Sequence, residues 1–596
     1  MVLDIIPKGE KINLDLANIA RLCSFEIRRS SLFSLVETSK FLSEILTSID
    51  ENLLTEETFE FPYDIYHDMD YKIKSRFLLV NSLYNSGEYL RCNSLLSKII
   101  SETSRIPEAV YFYYIYSKYK FVHEKNSTSL MKITDLADYL LNNKDVSNSR
   151  SDDNLSELKE EIEFTTLTHK YLLESPYILY LVALIQFQLK YKEEALKNLL
   201  TCIEKNPLIW EAWVLLVNFV VDKEFLDKVM NKFQGDGYFL KFIFEITSCI
   251  KIQEFERATE RISTLAASGF SENLSLQSQY ALLLEKSRVI QESCKVFKKI
   301  FQKDPYFLDY CDIFSNILFV TGNRVELSHL AHHCSQVDKF SSKTCCVIGN
   351  FYGLIGMHEK ALDYLLRAIK LQPSYPLVWM LIGHEYVELK QTKAAIRAYR
   401  ECVKQNPHQY FAWYGLGQMY ELLDIPLLAI RYYQEAYFLF PDDSRPLVAL
   451  GDMYLKLEKQ VEARRCFWKA FTIMDLESGT ALLRLAKCFE QTNISVKAAA
   501  SYTLFINFSE KFGRHSDADL AQAYRFLSEF HVNQKNYVDA RIAANKCLQF
   551  DSVREEAKSL LSQITNLQLS NENQQFFESK KPFILFGTEV NQSLME

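Results

Sequence analysis

Glycine and proline are scarce in this chain, 16 and 13 among 596 residues. A large β protein needs far more of both to punctuate its turns, so composition predicts helices instead. Long apolar runs are also missing. The most apolar internal stretch, Leu208 to Val221, is too short to span a bilayer and contains Glu211. The opening segment MVLDIIPKGEKINLDL lacks the apolar core of a signal peptide, so a soluble intracellular chain is expected. No strongly basic block occurs, and the net charge of −8 is mild for this length, which argues against nucleic-acid and membrane surfaces. The thirteen cysteines follow no paired spacing and read as small core residues. Phosphate loops, nucleophile elbows and HExxH pairs are absent.

What the chain has is material for a core and a period. Hydrophobic residues make up 48% and aromatics 13%, too much for a disordered polymer. Ala361, Ala395, Ala429 and Ala463 stand 34 residues apart, each preceded by 12 positions by Gly349, Gly383, Gly417 or Gly451. Tyr352, Tyr386, Tyr420 and Tyr454 follow those glycines by three, and Cys345, Trp379, Trp413 and Leu447 precede them by one helical turn. Leu365, Tyr399, Tyr433 and Phe467 follow the alanines, and Pro373, Pro407 and Pro441 close three of the units. This is the tetratricopeptide (TPR) pattern, and it predicts an all-α, superhelical solenoid of antiparallel helix pairs. Small residues belong where two helices approach most closely, and large ones fill the hollows beside the crossing.

Weaker copies extend both ways, through Ala195, Pro207, Trp213, Ala258, Phe297 and Pro305 upstream and through Ala498, Tyr502, Tyr524 and Ala540 downstream. The expected organisation is a degenerate N-terminal lobe (1–141), a flexible Asn/Ser/Asp-rich insertion (142–160), divergent repeats (161–340), four regular repeats (341–475), C-terminal repeats (476–569) and a disordered tail (570–596). Asp475 replaces the fourth proline, so the array is expected to loosen there. Phe583, Ile584 and Phe586 are candidate partner anchors in the tail.

Candidate chemistry is sparse. His329, His332, His333 and Cys334 offer at most two histidines on one helix face, and a polar face is the simpler reading than a zinc site; no metal or cofactor is expected. The inner face of the repeats is more informative. In such solenoids the first helix of each unit lines the concave side, and positions just past the small glycine point inward. Those positions hold Asn350, His384, Glu385, Gln418 and Asp452, with Glu421 one turn on, Phe411 and Tyr414 beside them, and Asn316 as a possible upstream equivalent. Amides and carboxylates without a Lys/Arg cluster suit an extended peptide bearing Arg or Lys.

Segments outside the consensus carry a more specific likeness. DPYFLDYCDIFSNILFV (304–320), ELSHLAHHCSQVDKF (326–340), TCCVIGNFY (344–352), GHEYVELKQTKAAIRAYR (383–400), FAWYGLGQMYELL (411–423) and DDSRPLVALGDMY (442–454) resemble the subunit-eight family of the anaphase-promoting complex, the cell division cycle twenty-three proteins. The resemblance implies a non-catalytic scaffold of a cullin-RING ubiquitin ligase that drives mitotic exit, found in nucleus and cytoplasm. It implies a homodimer formed through the N-terminal repeats, packed with other TPR and platform subunits. It also implies that Asn350 and Glu385, with Asn316 as a weaker candidate, receive the Arg-containing N-terminal motif of an activator. The alternatives weighed against it are a free-standing TPR adaptor or co-chaperone, which needs a Lys/Arg clamp, and a repeat enzyme, which needs a second domain.

Overall fold

The computed structural model describes residues 15–49, 71–103, 105–131, 149–233, 238–473, 478–512, 517–550 and 553–572. They are helical throughout, with no strand among them. The helices group into two compact units, Met1–Ser374 and Tyr375–Glu596.

The first unit opens with the hairpin α1 (Leu16–Leu32) and α2 (Val36–Ser48). The pairs α3 (Tyr71–Asn85) and α4 (Tyr89–Glu102), then α5 (Glu108–Met131) and α6 (Ser149–Thr168), follow. Next come α7 (Pro176–Gln188) and α8 (Lys192–Lys205), α9 (Trp210–Val217) and α10 (Lys223–Lys232), and α11 (Leu240–Ile252) and α12 (Phe255–Leu265). The unit closes with α13 (Leu274–Lys286) and α14 (Ile290–Lys303), α15 (Cys311–Val320) and α16 (Arg324–Val337), and α17 (Ser342–Ile355) and α18 (His358–Leu371). The second unit holds α19 (Pro376–Glu388) and α20 (Thr392–Gln405), α21 (Tyr410–Leu422) and α22 (Pro426–Leu439), and α23 (Arg445–Lys456) and α24 (Gln460–Thr472). It ends with α25 (Ser478–Gln491) and α26 (Ser495–Phe512), α27 (Asp517–Asn533) and α28 (Tyr537–Cys547), and a final α29 (Arg554–Glu572). From α7 onward the first member of each pair is called the A helix and the second the B helix.

Local chemistry starts and stops these helices at regular intervals. Proline occupies the first or second position of α7, α19, α22 and α23, where its missing N–H is no loss. The A helices end on a residue in the left-handed region, at Arg288, Gly322, Gly356, Lys390, Asp424 and Glu458, spaced 34 residues apart. The following amide reaches back to close the helix: Gln391 N–H donates to Tyr386 C=O, Ile425 to Tyr420 and Lys459 to Tyr454, each at 2.9 Å. The consensus tyrosines therefore also mark the carbonyls that seal each A helix. The backbone period begins at Arg288, upstream of the regular repeats expected from 341, because the turn keeps its geometry where the side chains diverge. It lengthens to 35 at Asn493, matching the 35-residue step from Ala463 to Ala498.

The small-residue rule has a direct steric cause. A Cβ added to Gly383 would lie 2.4 Å from the Tyr399 ring, one on Gly417 2.5 Å from Tyr433, and one on Gly451 2.4 Å from Phe467. On Gly349 the neighbour is Leu365, at 2.8 Å. In each repeat the B-helix side chain sixteen residues on fills the space that the glycine leaves. Trp379, Tyr386, Tyr420, Ala395, Ala429 and Ala463 are buried in the same layer. Trp413 donates its indole N–H to the Pro407 carbonyl at 2.7 Å, and upstream Trp213 does the same to Pro207, also at 2.7 Å. That shared bond marks the segment around Pro207 as a true repeat despite its weaker consensus.

The 142–160 insertion requires correction. Residues 149–168 form α6, with Leu155, Leu158 and Ile162 buried. Three apolar residues at spacings of three and four suffice to seat a helix whose other face is polar. Residues 142–148, Asp475 and the tail anchors Phe583, Ile584 and Phe586 lie outside the described residues, while α29 runs three residues past the expected boundary at 569. All thirteen cysteines are free, and eleven are buried, Cys345 and Cys346 among them. No described helix is long and apolar enough to cross a membrane.

Two substitution pairs test this account. Glu458→Gly relieves a left-handed non-glycine residue and is expected to raise stability by about 1 kcal/mol, whereas Gly356→Ala lowers it by about as much, read from denaturant midpoints. Gly417→Ala forces the Tyr433 ring aside and is expected to cost about 1–3 kcal/mol, while Gln418→Ala next to it leaves the midpoint within about 0.5 kcal/mol.

Candidate functional site

The inner-face residues expected from the sequence fall in both units and are described within each. In the first unit Asn350 follows Gly349 on α17 and is only 3% exposed. Its amide nitrogen donates to Ser315 Oγ at 2.8 Å and to Asn316 Oδ1 at 2.6 Å on α15. Asn316 is therefore Asn350's direct partner, and the two carboxamides join consecutive A helices. The sequence reading placed Asn350 as an open groove residue; the structure buries it in a polar seam.

In the second unit His384 and Glu385 stand on α19. Glu385 is 7% exposed. His384 Nδ1 lies 2.8 Å from the Tyr399 hydroxyl, and loss of hydration lowers its pKa to about 4. The imidazole is neutral at physiological pH and adds no positive charge to this face. The Tyr399 ring itself is held between two glycines, since a Cβ on Gly415 of α21 would lie 2.7 Å from it.

On α21 Gln418 is exposed, and Tyr414 and Glu421 are half-buried. Glu421 accepts the Tyr433 hydroxyl at 2.7 Å. The same pattern recurs where Tyr502 donates to Glu490 at 2.8 Å, so an A-helix carboxylate oriented by a B-helix tyrosine is a recurring device. Asp452 on α23 has its pKa raised, mainly by burial and also by Glu421, with Arg484 at 3.5 Å opposing the rise.

The sequence reading overlooked a cation. Arg445, at the start of α23, grips the fully buried Asp443 through Nε and a terminal nitrogen at 2.9–3.2 Å. Its guanidinium lies 5.9–6.0 Å from the ring centres of Tyr410, Phe411 and Tyr414. Tyr410 donates its hydroxyl to the same Asp443. The Arg445 guanidinium is thus held between aromatic rings and a buried carboxylate of the same unit. The Asp443–x–Arg445 spacing was visible in the sequence, but nothing there showed that three rings converge on it.

The histidine cluster is dispersed. His333 Nε2 lies 2.6 Å from the Pro305 carbonyl, His332 meets Gln336, and Cys334 is buried. Among the described residues no group of three or more His, Cys, Asp or Glu side chains is arranged to hold a metal ion.

Comparison with known proteins adds a family context. A family model described as anaphase promoting complex subunit 8 / Cdc23 matches residues 26–281, and tetratricopeptide models match 342–375 and 380–444. The cell division cycle protein 23 homolog of Caenorhabditis elegans is 36% identical over 389 residues, covering 65% of this chain and 58% of that protein. Anaphase-promoting complex subunit 8 of Dictyostelium discoideum is 32% identical over 219 residues, 37% of this chain and 36% of its own. The chain thus spans 58% and 36% of the length of these two relatives. A solved hetero-tetramer, Cut9–Hcn1, aligns over 83% of this chain and 96% of its own at 15% identity, with a TM-score of 0.48.

The neutral His384 gives a signed pH dependence. Its folded pKa lies below the ordinary histidine value of about 6.5, so the unfolded chain takes up the proton first. The stability it contributes is complete above pH 6.5 and is lost as pH falls toward 4. His384→Gln is expected to remove that part of the acid sensitivity, measured as the difference between wild-type and variant denaturation midpoints from pH 7 to pH 4.

Proposed function

We propose that the chain is a member of the anaphase-promoting complex subunit 8/Cdc23 family to which it is similar, and a non-catalytic TPR scaffold subunit of that complex, a cullin-RING ubiquitin ligase acting in mitosis. The observation that carries the reading is the family model's match over 26–281, the part of the chain where the generic repeat consensus is weakest. Similarity there cannot come from repeat periodicity alone.

In this reading the chain pairs with a second copy through its N-terminal repeats, stacks with other TPR and platform subunits, and works in nucleus and cytoplasm. Its inner face receives the basic N-terminal motif of an activator. Three features support a basic ligand. Carboxylates at Glu385, Glu421 and Asp452 lie on consecutive A helices, His384 adds no charge, and Arg445 already sits among aromatic rings and a carboxylate as a ligand arginine would.

The assembly is tested by purifying the tagged chain from dividing cells. Co-elution with cullin and RING subunits is expected, and recovery only as a free monomer overturns the proposal. The groove is tested separately with Glu385→Lys and Asn350→Ala. Each is expected to weaken binding of an Arg-containing peptide roughly tenfold or more, with Glu385→Lys the larger, while the assembly still forms. Unchanged peptide affinity counts against these residues and leaves the scaffold reading standing.

A further inference from the structure

The inner face of the first unit is already occupied. The α1–α2 hairpin lies along the row of A helices, from α7 to Asp309 just before α15. Tyr177 of α7 donates its hydroxyl to Glu26 Oε1 at 2.5 Å, and Phe33, in the bend of the hairpin, stacks on the Tyr177 ring at 4.0 Å. Phe41 stacks on Trp210 of α9 at 4.1 Å. Ser275 of α13 donates to Glu44 at 2.7 Å, and Lys40 reaches Asp309 just before α15, where Lys343 of α17 also binds.

Between α2 and α9 the contact is reciprocal. Neither helix has a side-chain cap from its own N-cap residue, Leu35 or Ile209. The Thr38 N–H, in the first turn of α2, donates instead to Glu211 Oε1 at 3.0 Å. Thr38 Oγ1 in turn accepts the N–H groups of Trp210, at 3.0 Å, and Glu211, at 3.4 Å, in the first turn of α9. Each helix satisfies the orphan donors of the other, a role that capping residues ordinarily fill within one chain segment.

The fit beneath α2 is incomplete. A cavity of about 300 Å³ remains there, lined by Lys40, Phe41, Trp210, Phe270, Gln279 and Tyr310 among others. Protein cores are packed to crystal density, whereas interfaces between separately formed parts are more polar and leave gaps. Ion pairs, side-chain caps and a residual void under α2 have the character of a docked segment, laid over a buried apolar contact made by Ile19, Ala20, Cys23, Leu42 and Ile45.

We propose that the α1–α2 hairpin is a resident ligand of the first unit's inner face, which is a helix-binding groove closed by its own chain. The ligand it takes is a helical peptide with two aromatic residues eight apart and a threonine between them that caps α9. The proposal stands independently of any assembly reading, since it concerns one chain alone.

The test uses the full chain and a labelled synthetic peptide of residues 15–49. Wild-type chain is expected to show slow hydrogen exchange in α1–α2 and little capture of the peptide by fluorescence anisotropy. Thr38→Val with Phe41→Ala is expected to speed exchange at least tenfold in α1–α2 and the first turn of α9, leave α14–α18 unchanged, and raise peptide affinity at least tenfold. Thr38→Ser, which keeps the accepting oxygen, is expected to behave as wild type. Faster exchange throughout α7–α18 would make the hairpin an integral part of the core and overturn the proposal. So would an opened variant that fails to capture the peptide, or wild-type chain that captures it equally well.

Discussion

Each regular repeat depends on one contact, a glycine of the A helix against a large B-helix side chain sixteen residues later. Leu365, Tyr399, Tyr433 and Phe467 occupy volume that any Cβ at Gly349, Gly383, Gly417 or Gly451 would claim. The rings are fully or nearly fully buried, so the contact brings the two helix backbones close and fixes their crossing at the same time. The hydroxyls at the far ends of these rings then meet His384 and Glu421 on the A-helix face. Packing and the chemistry of the inner face are therefore set by the same side chains.

That coupling explains why the architecture was legible in the sequence and the site only partly so. The glycine–aromatic–alanine spacing is a steric requirement and has to appear in the residues themselves. The upstream repeats were harder to see because their register is held by backbone geometry, the left-handed residues at Arg288 and Gly322, which leaves only a weak trace in residue type. Helix α6 was read as flexible because three buried apolar residues in a polar stretch carry little compositional weight.

The inner face shows the same limit. Helical phase correctly put Asn350, His384, Glu385, Gln418 and Glu421 on the A helices, but phase says nothing about what a neighbouring helix contributes. Asn350 is drawn into a seam with Asn316, and Arg445 joins Tyr410, Phe411 and Tyr414 from a different helix. The occupation of the first unit's face by α1–α2 rests on contacts between residues as far apart as Lys40 and Asp309. No local pattern encodes such a pairing.

The Tyr399 ring has a mechanical consequence of its own. It lies against Gly383 on α19 and Gly415 on α21, so it is shared by two consecutive repeats. Repeat arrays ordinarily behave as chains of nearest-neighbour couplings, in which one unit can fray while the next holds. A single ring keyed into both backbones makes that fraying expensive, because neither repeat can open without emptying a slot in the other. The two repeats form a stiff joint in an otherwise extensible spring, and tension applied along the array would be transmitted across it rather than absorbed there.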